Sequence, residues 1–263
     1  MELLSHSGHD VERLLSRWED LARRRGWQRT VLSEESGIQV LAFENEIAAP
    51  GSEGLYLSAG VHGDECAPVW GLIEWAESEG AEKFFQNHQV TLVPCINPHG
   101  LIENTRVDHA GRDLNRCFQD ESVEVVGAWQ SFLKGKRFRM AINLHEDYDA
   151  GGIYLYELVR GTSRGHSLLD VCENVIPRET ASDVDGSEFD RGLLSRANDD
   201  DEVRQVAAEE LDGWPEAIWL YLNHTDESLT FETPSEMALE RRIAAHRSFI
   251  DAAVEVFRGR GIE

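Results

Sequence analysis

A histidine and a glutamate lie three residues apart in Gly60–Glu65, directly after the apolar run Leu55–Ala59. An imidazole nitrogen and a carboxylate are both ligands that suit Zn²⁺. The flanking glycines let the backbone turn sharply enough for His62 and Glu65 to face one point. The pair is weak evidence alone, because the same spacing also occurs in a surface histidine followed by a solvated glutamate.

A third candidate ligand, His145, ends a second strand-like run, Phe138–Leu144. In an α/β sheet the carboxyl ends of the strands lie along one edge, where ligand sites collect. His62, Glu65 and His145 would then supply three ligands and leave a fourth position for water. A catalytic zinc site requires that arrangement.

Further carboxylates occur near the same predicted strand ends. Glu146 and Asp147 follow His145 directly, and we expect them to orient neighbouring groups or to face solvent rather than to bind metal. Glu232 ends another apolar run, in the segment 229–234. It is either a charge at the start of a helix or, close to an activated water, a general base.

An arginine-rich segment lies between the two histidine motifs. Arg106 precedes Gly111-Arg112-Asp113-Leu114-Asn115-Arg116, and Asn97-Pro98-His99-Gly100 comes before both. A planar guanidinium beside an amide is suited to bidentate capture of a carboxylate. An arginine-rich surface turn is the alternative interpretation.

Strand-like and helix-like patterns alternate along the chain, which predicts an α/β sheet domain. The pattern predicts helices at His9–Arg25, after Ala67, at Val123–Leu133 and at Ser235–Phe257, and strand-like runs at Ile38–Phe43, Leu55–Ala59, Val90–Ile96 and Phe138–Leu144; order also returns at Ala217–Leu222 and Ser228–Phe231. The acidic segment from Arg178 to Gly213 is expected to be a long loop, either a wall of the binding site or a disordered insert.

Composition limits the possible partners and compartment. The chain has 263 residues and a net charge of −24, so we expect one domain over residues 1–263 that does not bind nucleic acid. No apolar run is long enough to cross a bilayer, and no secretory signal precedes the first helix, which favours a cytoplasmic protein. The four scattered cysteines are expected to be reduced thiols.

The motifs together resemble the zinc carboxypeptidase family, in the superfamily that also contains succinylglutamate desuccinylase and aspartoacylase. The order and spacing that carry the resemblance extend from His62 to Pro234, and comprise HGDE, NPHG, Arg106, GRDLNR, the histidine of NLHE and the glutamate of TFETP. Each block is weak evidence, but their conjunction is strong.

The resemblance implies a mixed central sheet of about eight strands with helices on both faces, and one zinc ion bound by His62, Glu65 and His145. It also assigns roles to residues 106, 115, 116 and 232. Glu232 would be the general base, Arg106 would stabilise the oxyanion, and Asn115 and Arg116 would bind the free carboxylate of the substrate.

Three functions are compatible with these residues. The first is a metallocarboxypeptidase or peptide amidase that cleaves an amide bond next to a free carboxylate, which the NPHG and GRDLNR blocks favour. The second is an N-acyl amino acid hydrolase of the desuccinylase/aspartoacylase type. The third is a non-catalytic metal- or peptide-binding module, for which the presence of Glu232 would have no purpose. The substrate is therefore expected to be a small peptide or an N-acyl amino acid.

Two departures from the family pattern concern specificity. His99 occupies a position where the family commonly has aspartate, and the family commonly has asparagine or an aromatic residue near the position of Cys117. The family also often covers the substrate with a tyrosine, for which Tyr221, Tyr154 and Tyr156 are candidates.

Overall fold

The protein consists of an eight-stranded mixed sheet with helices on both faces. The structure is a computed structural model, and it describes residues 8–35, 37–45, 53–181, 183–184, 187–196 and 199–259. The strands are β1 (Gln28–Glu35), β2 (Ile38–Glu44), β3 (Gly54–Ala59), β4 (Val90–Val93), β5 (Phe138–Asp147), β6 (Tyr154–Val159), β7 (Asp183–Val184), β8 (Ser187–Glu188), β9 (Leu193–Arg196) and β10 (Glu227–Pro234). The helices are α1 (Val11–Arg25), α2 (Cys66–Ala76), α3 (Glu79–Phe85), α4 (Pro98–Glu103), α5 (Glu124–Leu133), α6 (Gly165–Cys172), α7 (Asp200–Glu209), α8 (Glu216–Asn223) and α9 (Leu239–Phe257).

The strand order is β1-β2-β4-β3-β5-β10-β6-β9, and β7 and β8 pair separately. The four central strands β4, β3, β5 and β10 are parallel, whereas β1, β2 and β6 pair antiparallel with their inner neighbours. The predicted fold class, a mixed sheet of about eight strands flanked by helices, is therefore confirmed.

The register of the central strands brings their carboxyl ends to one edge of the sheet. Glu232 on β10 lies opposite His145 on β5, and Leu144 lies opposite Ala59 on β3. Because paired residues in a sheet point to the same face, the side chains of Glu232 and His145 lie on a common face. The loop that contains His62 leaves β3 at this same edge.

Two apolar layers hold the sheet between its helices. One layer contains residues of α1, α2 and α9, such as Trp18, Trp75 and Phe249, all fully buried. The opposite layer contains residues of α5 and α8, including Trp129 and Leu220. The helix predicted at His9–Arg25 is observed as α1, with the Asp10 side chain capping its start and Gly26 ending it in the left-handed conformation.

The remaining sequence predictions differ from the structure mainly at element ends. The strand predicted at Val90–Ile96 ends at Val93, because the chain turns there toward the NPHG segment. The last helix begins at Leu239 rather than Ser235. The segment from Arg178 to Gly213 is not one long loop, since it contains β9 and α7; residues 182, 185–186 and 197–198 of this segment lie outside the described part.

Glycine permits a close backbone approach beside the first histidine motif. A Cβ atom at Gly63 would overlap the backbone of Gly100, so the 60–65 turn and helix α4 can pack only if residue 63 has no side chain.

Among the described residues, no helix is both long enough and apolar enough to span a membrane.

We therefore expect the substitution Gly63→Ala to lower the free energy of unfolding by about 3 kcal/mol, since the added methyl group must displace backbone. Gly80→Ala is the matched control. Its Cβ would lie 3.7 Å from the nearest atom, and alanine in a helix should stabilise the protein by roughly 0.5–1 kcal/mol. Urea unfolding measures both, and a Gly63→Ala protein as stable as the wild type would contradict the packing described.

Candidate metal and catalytic site

His62, Glu65 and His145 converge at the carboxyl edge of the sheet. Each offers one ligand atom, and these atoms all lie within 4.8 Å of one another. The three side chains are buried, with 3–5% of their surface exposed. His62 lies in the loop that follows β3, His145 lies near the end of the neighbouring strand β5, and Glu65 precedes the first residue of α2.

Both histidines face the Glu65 carboxylate with the same ring nitrogen, Nδ1. Nδ1 of His62 contacts Oε1 of Glu65, and Nδ1 of His145 lies 3.0 Å from Oε2 of Glu65. This second oxygen is buried and makes no hydrogen bond. Two imidazole nitrogens and a carboxylate that converge in a buried pocket, with one oxygen unsatisfied, fit the donor set that binds Zn²⁺.

Asp113 holds the first histidine in orientation. Its Oδ1 lies 3.1 Å from Nε2 of His62, so that nitrogen donates a proton and Nδ1 is left for a ligand role. Asp113 lies within the GRDLNR block, but its role is not predicted from the sequence. A carboxylate partner for the second nitrogen is usual for a metal-binding histidine, but the sequence does not indicate which carboxylate supplies it.

The charges of the ligands are mutually stabilised. Burial alone would lower the pKa of His62, but the Glu65 carboxylate and the bond to Asp113 outweigh burial and raise this pKa to about 9. Burial alone would raise the pKa of Glu65, yet the two histidines hold it well below its usual range. Protons and a divalent cation therefore compete for the same Nδ1 atoms.

Arg106 lies at the edge of the ligand cluster. Its Nε donates to Oδ2 of Asp113 at 3.0 Å, and its Nη1 lies 3.8 Å from Oε1 of Glu65. The side chain is 45% exposed, so the guanidinium is anchored at one end and open to solvent at the other. The structure thus places Arg106 beside Asp113 and Glu65.

Glu232 is buried on the same sheet face as His145. Its Oε2 has no hydrogen-bond partner in the described structure. Burial raises the pKa of Glu232 to about 8; the charge of Glu65 adds to this effect, while His145 opposes it. An acid with this pKa in a buried site exchanges protons near neutral pH, which is the property of a general base or acid.

Asn115 and Arg116 form a short 3-10 turn, Leu114–Arg116, beside the site. Oδ1 of Asn115 accepts a hydrogen bond from the backbone N–H of Glu216 at 3.0 Å, which fixes the orientation of the amide. Nη1 of Arg116 donates to the backbone carbonyl of Asn115 at 3.1 Å. The amide and the guanidinium therefore occupy neighbouring, partly exposed positions.

Buried polar groups support the sheet beneath the histidines. The Glu216 carboxylate accepts hydrogen bonds from the hydroxyls of Tyr56 and Ser58 at 2.6 and 2.9 Å. Asn143 donates to Ser58 at 2.9 Å. Because Asn143 lies two residues before His145 on β5, this network stabilises the strand that carries the second histidine.

The candidate tyrosines differ in position. Tyr154 lies opposite Glu232 on β6, and its hydroxyl donates to Asp147 at 2.8 Å. Tyr156 packs edge-on against Tyr154. Tyr221 is fully buried in α8, with the Arg160 guanidinium 4.1 Å from its ring centre, a position that does not allow it to move over a substrate.

The structure also shows where His99 and the four cysteines lie. His99 is partly exposed on α4, and its ring centroid lies 6.1 Å from that of His109. All four cysteines are free thiols, as predicted, and Cys66 is among the three that are buried. Cys117 is partly buried next to Arg116.

A family model described as "Succinylglutamate desuccinylase/Aspartoacylase catalytic domain" matches residues 52–155, which include all three candidate ligands. No curated protein matches the sequence. Known structures match much more of the chain.

Two of these structures are candidate metallopeptidases from Shewanella. That of Shewanella amazonensis SB2B has a TM-score of 0.81 and 20% identity, and covers 95% of this chain and 94% of its own. That of Shewanella denitrificans OS217 has a TM-score of 0.80 and 18% identity, and covers 95% and 91%. A metallo-carboxypeptidase from Burkholderia cenocepacia has a TM-score of 0.69 and 15% identity, and covers 94% of this chain and 69% of its own.

Over residues 52–155 the chain is therefore similar in sequence to the succinylglutamate desuccinylase/aspartoacylase catalytic domain. Over nearly its whole length it shares the fold of the metallopeptidase and metallo-carboxypeptidase structures. The structural matches, at 15–20% identity, add the fold and no finer assignment. Glu232, Asn115 and Arg116 keep their predicted roles as proposals, and Glu232 lies outside the residues that the family model matches.

We expect the zinc affinity of the protein to rise with pH between 6.5 and about 9, because His62 must lose its proton before Nδ1 can bind a cation. The rise should be about tenfold per pH unit for each proton released. Chelator competition at several pH values measures it. His224→Gln is the control that should leave the profile unchanged, because His224 ends α8 beside the amino end of β5, away from the ligands. An affinity independent of pH over this range would be inconsistent with His62 as a ligand.

Proposed function

We propose that the protein is a zinc-dependent hydrolase that cleaves an amide or peptide bond next to a free carboxylate. The observation that carries this proposal is the convergence of His62, Glu65 and His145 at one sheet edge, with Glu232 on the adjacent strand. A buried site with three ligands and a neighbouring base is the arrangement that hydrolysis by an activated water requires. We also propose that residues 1–263 form a single catalytic domain.

A zinc ion held by the three ligands would lower the pKa of water and polarise the scissile carbonyl. Glu232 accepts a proton from the attacking water, whose oxygen then bonds to the carbonyl carbon. Arg106 donates to the oxygen on which negative charge develops. The carbon–nitrogen bond breaks as Glu232 returns the proton to the leaving amine, which restores the carboxylate.

Asn115 and Arg116 are proposed to bind the substrate's free carboxylate. The bond from the Glu216 backbone N–H to Oδ1 of Asn115 fixes which end of the side-chain amide carries the NH₂ donor group. An amide donor beside a guanidinium is suited to a planar carboxylate. A substrate with a carboxylate at this position would be held in register with Arg106 and Glu232.

The family model supports a second candidate, an N-acyl amino acid hydrolase, since it describes a desuccinylase/aspartoacylase domain over residues 52–155. The two reactions share the same ligands and base and differ in the acyl part of the substrate. A mass-spectrometric screen separates them when it includes peptides, their C-terminal amides and N-acyl amino acids. Zinc binding without turnover of any substrate class would favour the non-catalytic binding module.

Glu232→Gln should lower turnover by at least about 100-fold while zinc content stays at the wild-type level, because glutamine keeps the shape but cannot accept the proton. Single-substrate kinetics of the zinc-loaded proteins provide the measurement. Glu227→Gln, on the same strand but at its opposite end, is the matched control and should retain wild-type turnover. If Glu232→Gln turns over substrate as fast as the wild type, Glu232 is not the general base.

A further inference from the structure

The Glu146 carboxylate is fully buried and is not part of the ligand cluster. It follows His145 on β5, and its side chain points to the sheet face opposite His145 and Glu232. Only 5% of the residue is exposed. An ionised group is costly to bury unless it is paired, so the contacts of Glu146 indicate why it is there.

The first contact is with the helix that follows Glu65. Glu65 occupies the N-cap position of α2, but its side chain makes no capping hydrogen bond, because it faces the two histidines instead. The backbone N–H of Ala67, in the first turn of α2, donates to Oε1 of Glu146 at 2.8 Å. Glu146 therefore caps the helix from another strand and leaves the Glu65 carboxylate available for the ligand cluster.

The second contact is with the strand that carries the proposed base. The hydroxyl of Thr233, next to Glu232, donates to Oε2 of Glu146 at 3.2 Å. Nε2 of His246 lies 3.1 Å from the same hydroxyl, and burial lowers the pKa of His246 to about 3, so this imidazole is neutral. The hydrogen bonds of all three groups are satisfied when Nε2 of His246 donates to the Thr233 hydroxyl and this hydroxyl donates to Glu146.

The third contact supplies the compensating charge. Nη1 of Arg242, in α9, forms an ion pair with Oε2 of Glu146, and its Nε donates to the backbone carbonyl of Met237 at 2.8 Å. The arginine side chain is only 11% exposed. A buried carboxylate with an arginine, a hydroxyl and a backbone N–H as partners is fully satisfied, which makes its position rigid.

We infer that Glu146 is a positioning residue that fixes the relative placement of Glu65, His145 and Glu232. One carboxylate joins the helix that begins at Glu65, the strand that ends with His145 and the strand that carries Glu232. Arg242 holds this carboxylate from α9. The inference rests on the proposed function, because it concerns the geometry of the same ligands and base.

The test compares Glu146→Gln with the wild type in zinc affinity, measured by chelator competition, and in kcat and KM. We expect zinc affinity to fall about 10- to 100-fold, as is typical when a group that orients ligands is removed. We expect kcat to fall while KM changes less than threefold, because the substrate-carboxylate groups are not touched. Arg242→Lys, which keeps the charge, should retain more zinc affinity than Arg242→Met.

Glu157→Gln is the matched control. Glu157 is also a fully buried strand glutamate, and it accepts a hydrogen bond at 3.0 Å from the backbone N–H of Arg164, at the start of α6. It lies on β6, on the sheet face opposite Glu232. Its loss should reduce stability but leave zinc affinity within twofold of the wild type.

Two results would overturn the inference. One is wild-type zinc affinity and kcat in Glu146→Gln, and the other is an equal loss of zinc affinity in Glu157→Gln, which would show a general effect of buried-acid removal. If Glu146→Gln does not fold, Thr233→Val, which removes the hydroxyl that joins Glu146 to His246, must still lower zinc affinity severalfold or the inference fails. A wild-type protein that binds zinc but hydrolyses no substrate would contradict the proposed function alone, since the affinity comparison remains valid.

Discussion

The parallel pairing of β5 with β3 and β10 is the constraint on which the site depends. A shift of one residue between β5 and β10 would turn Glu232 to the opposite face and away from His145. The same pairing sets the edge at which the loop containing His62 leaves β3. Backbone hydrogen bonds in the centre of the sheet, rather than contacts within the site, therefore determine which side chains meet.

Charge is the second organising feature of the site. Glu65 and Glu232 are buried at one edge of the sheet, where the buried histidines His62 and His145 also lie. The two carboxylates respond differently to burial, because both imidazoles lie against Glu65, whereas the charges of His145 and Arg106 only partly offset burial at Glu232. One acid is therefore held ionised as a ligand, while the other has a pKa raised toward neutrality.

Much of the fold could be predicted because apolar periodicity and strand-end motifs are local signals. Helix α1 and strands β3 and β5 follow directly from them. Strand β1 was missed because Gln28–Glu35 is mostly polar, as suits an edge strand that pairs on one side only. Helix α7 was missed because Asp199–Glu210 is dominated by acidic residues, and its buried side chains Val203, Val206 and Ala207 are too few to give a strong periodicity.

The candidate ligands were predictable from residue type, spacing and motif order, but their support was not. Asp113 acts on His62 across 51 residues of sequence, and Glu146 caps a helix that begins 80 residues earlier. Such contacts depend on how strands and helices pack, so no local pattern reveals them. From the sequence, Glu146 is expected to orient neighbours or to face solvent, and in the structure it is buried with specific partners.

The most direct measurement of the central claim is a crystal structure of the protein grown with zinc, with anomalous data collected at the zinc absorption edge. We expect one strong anomalous peak about 2.0–2.2 Å from Nδ1 of His62, Nδ1 of His145 and a carboxylate oxygen of Glu65. A peak elsewhere, or a His145 ring turned away from the other two ligands, would contradict it.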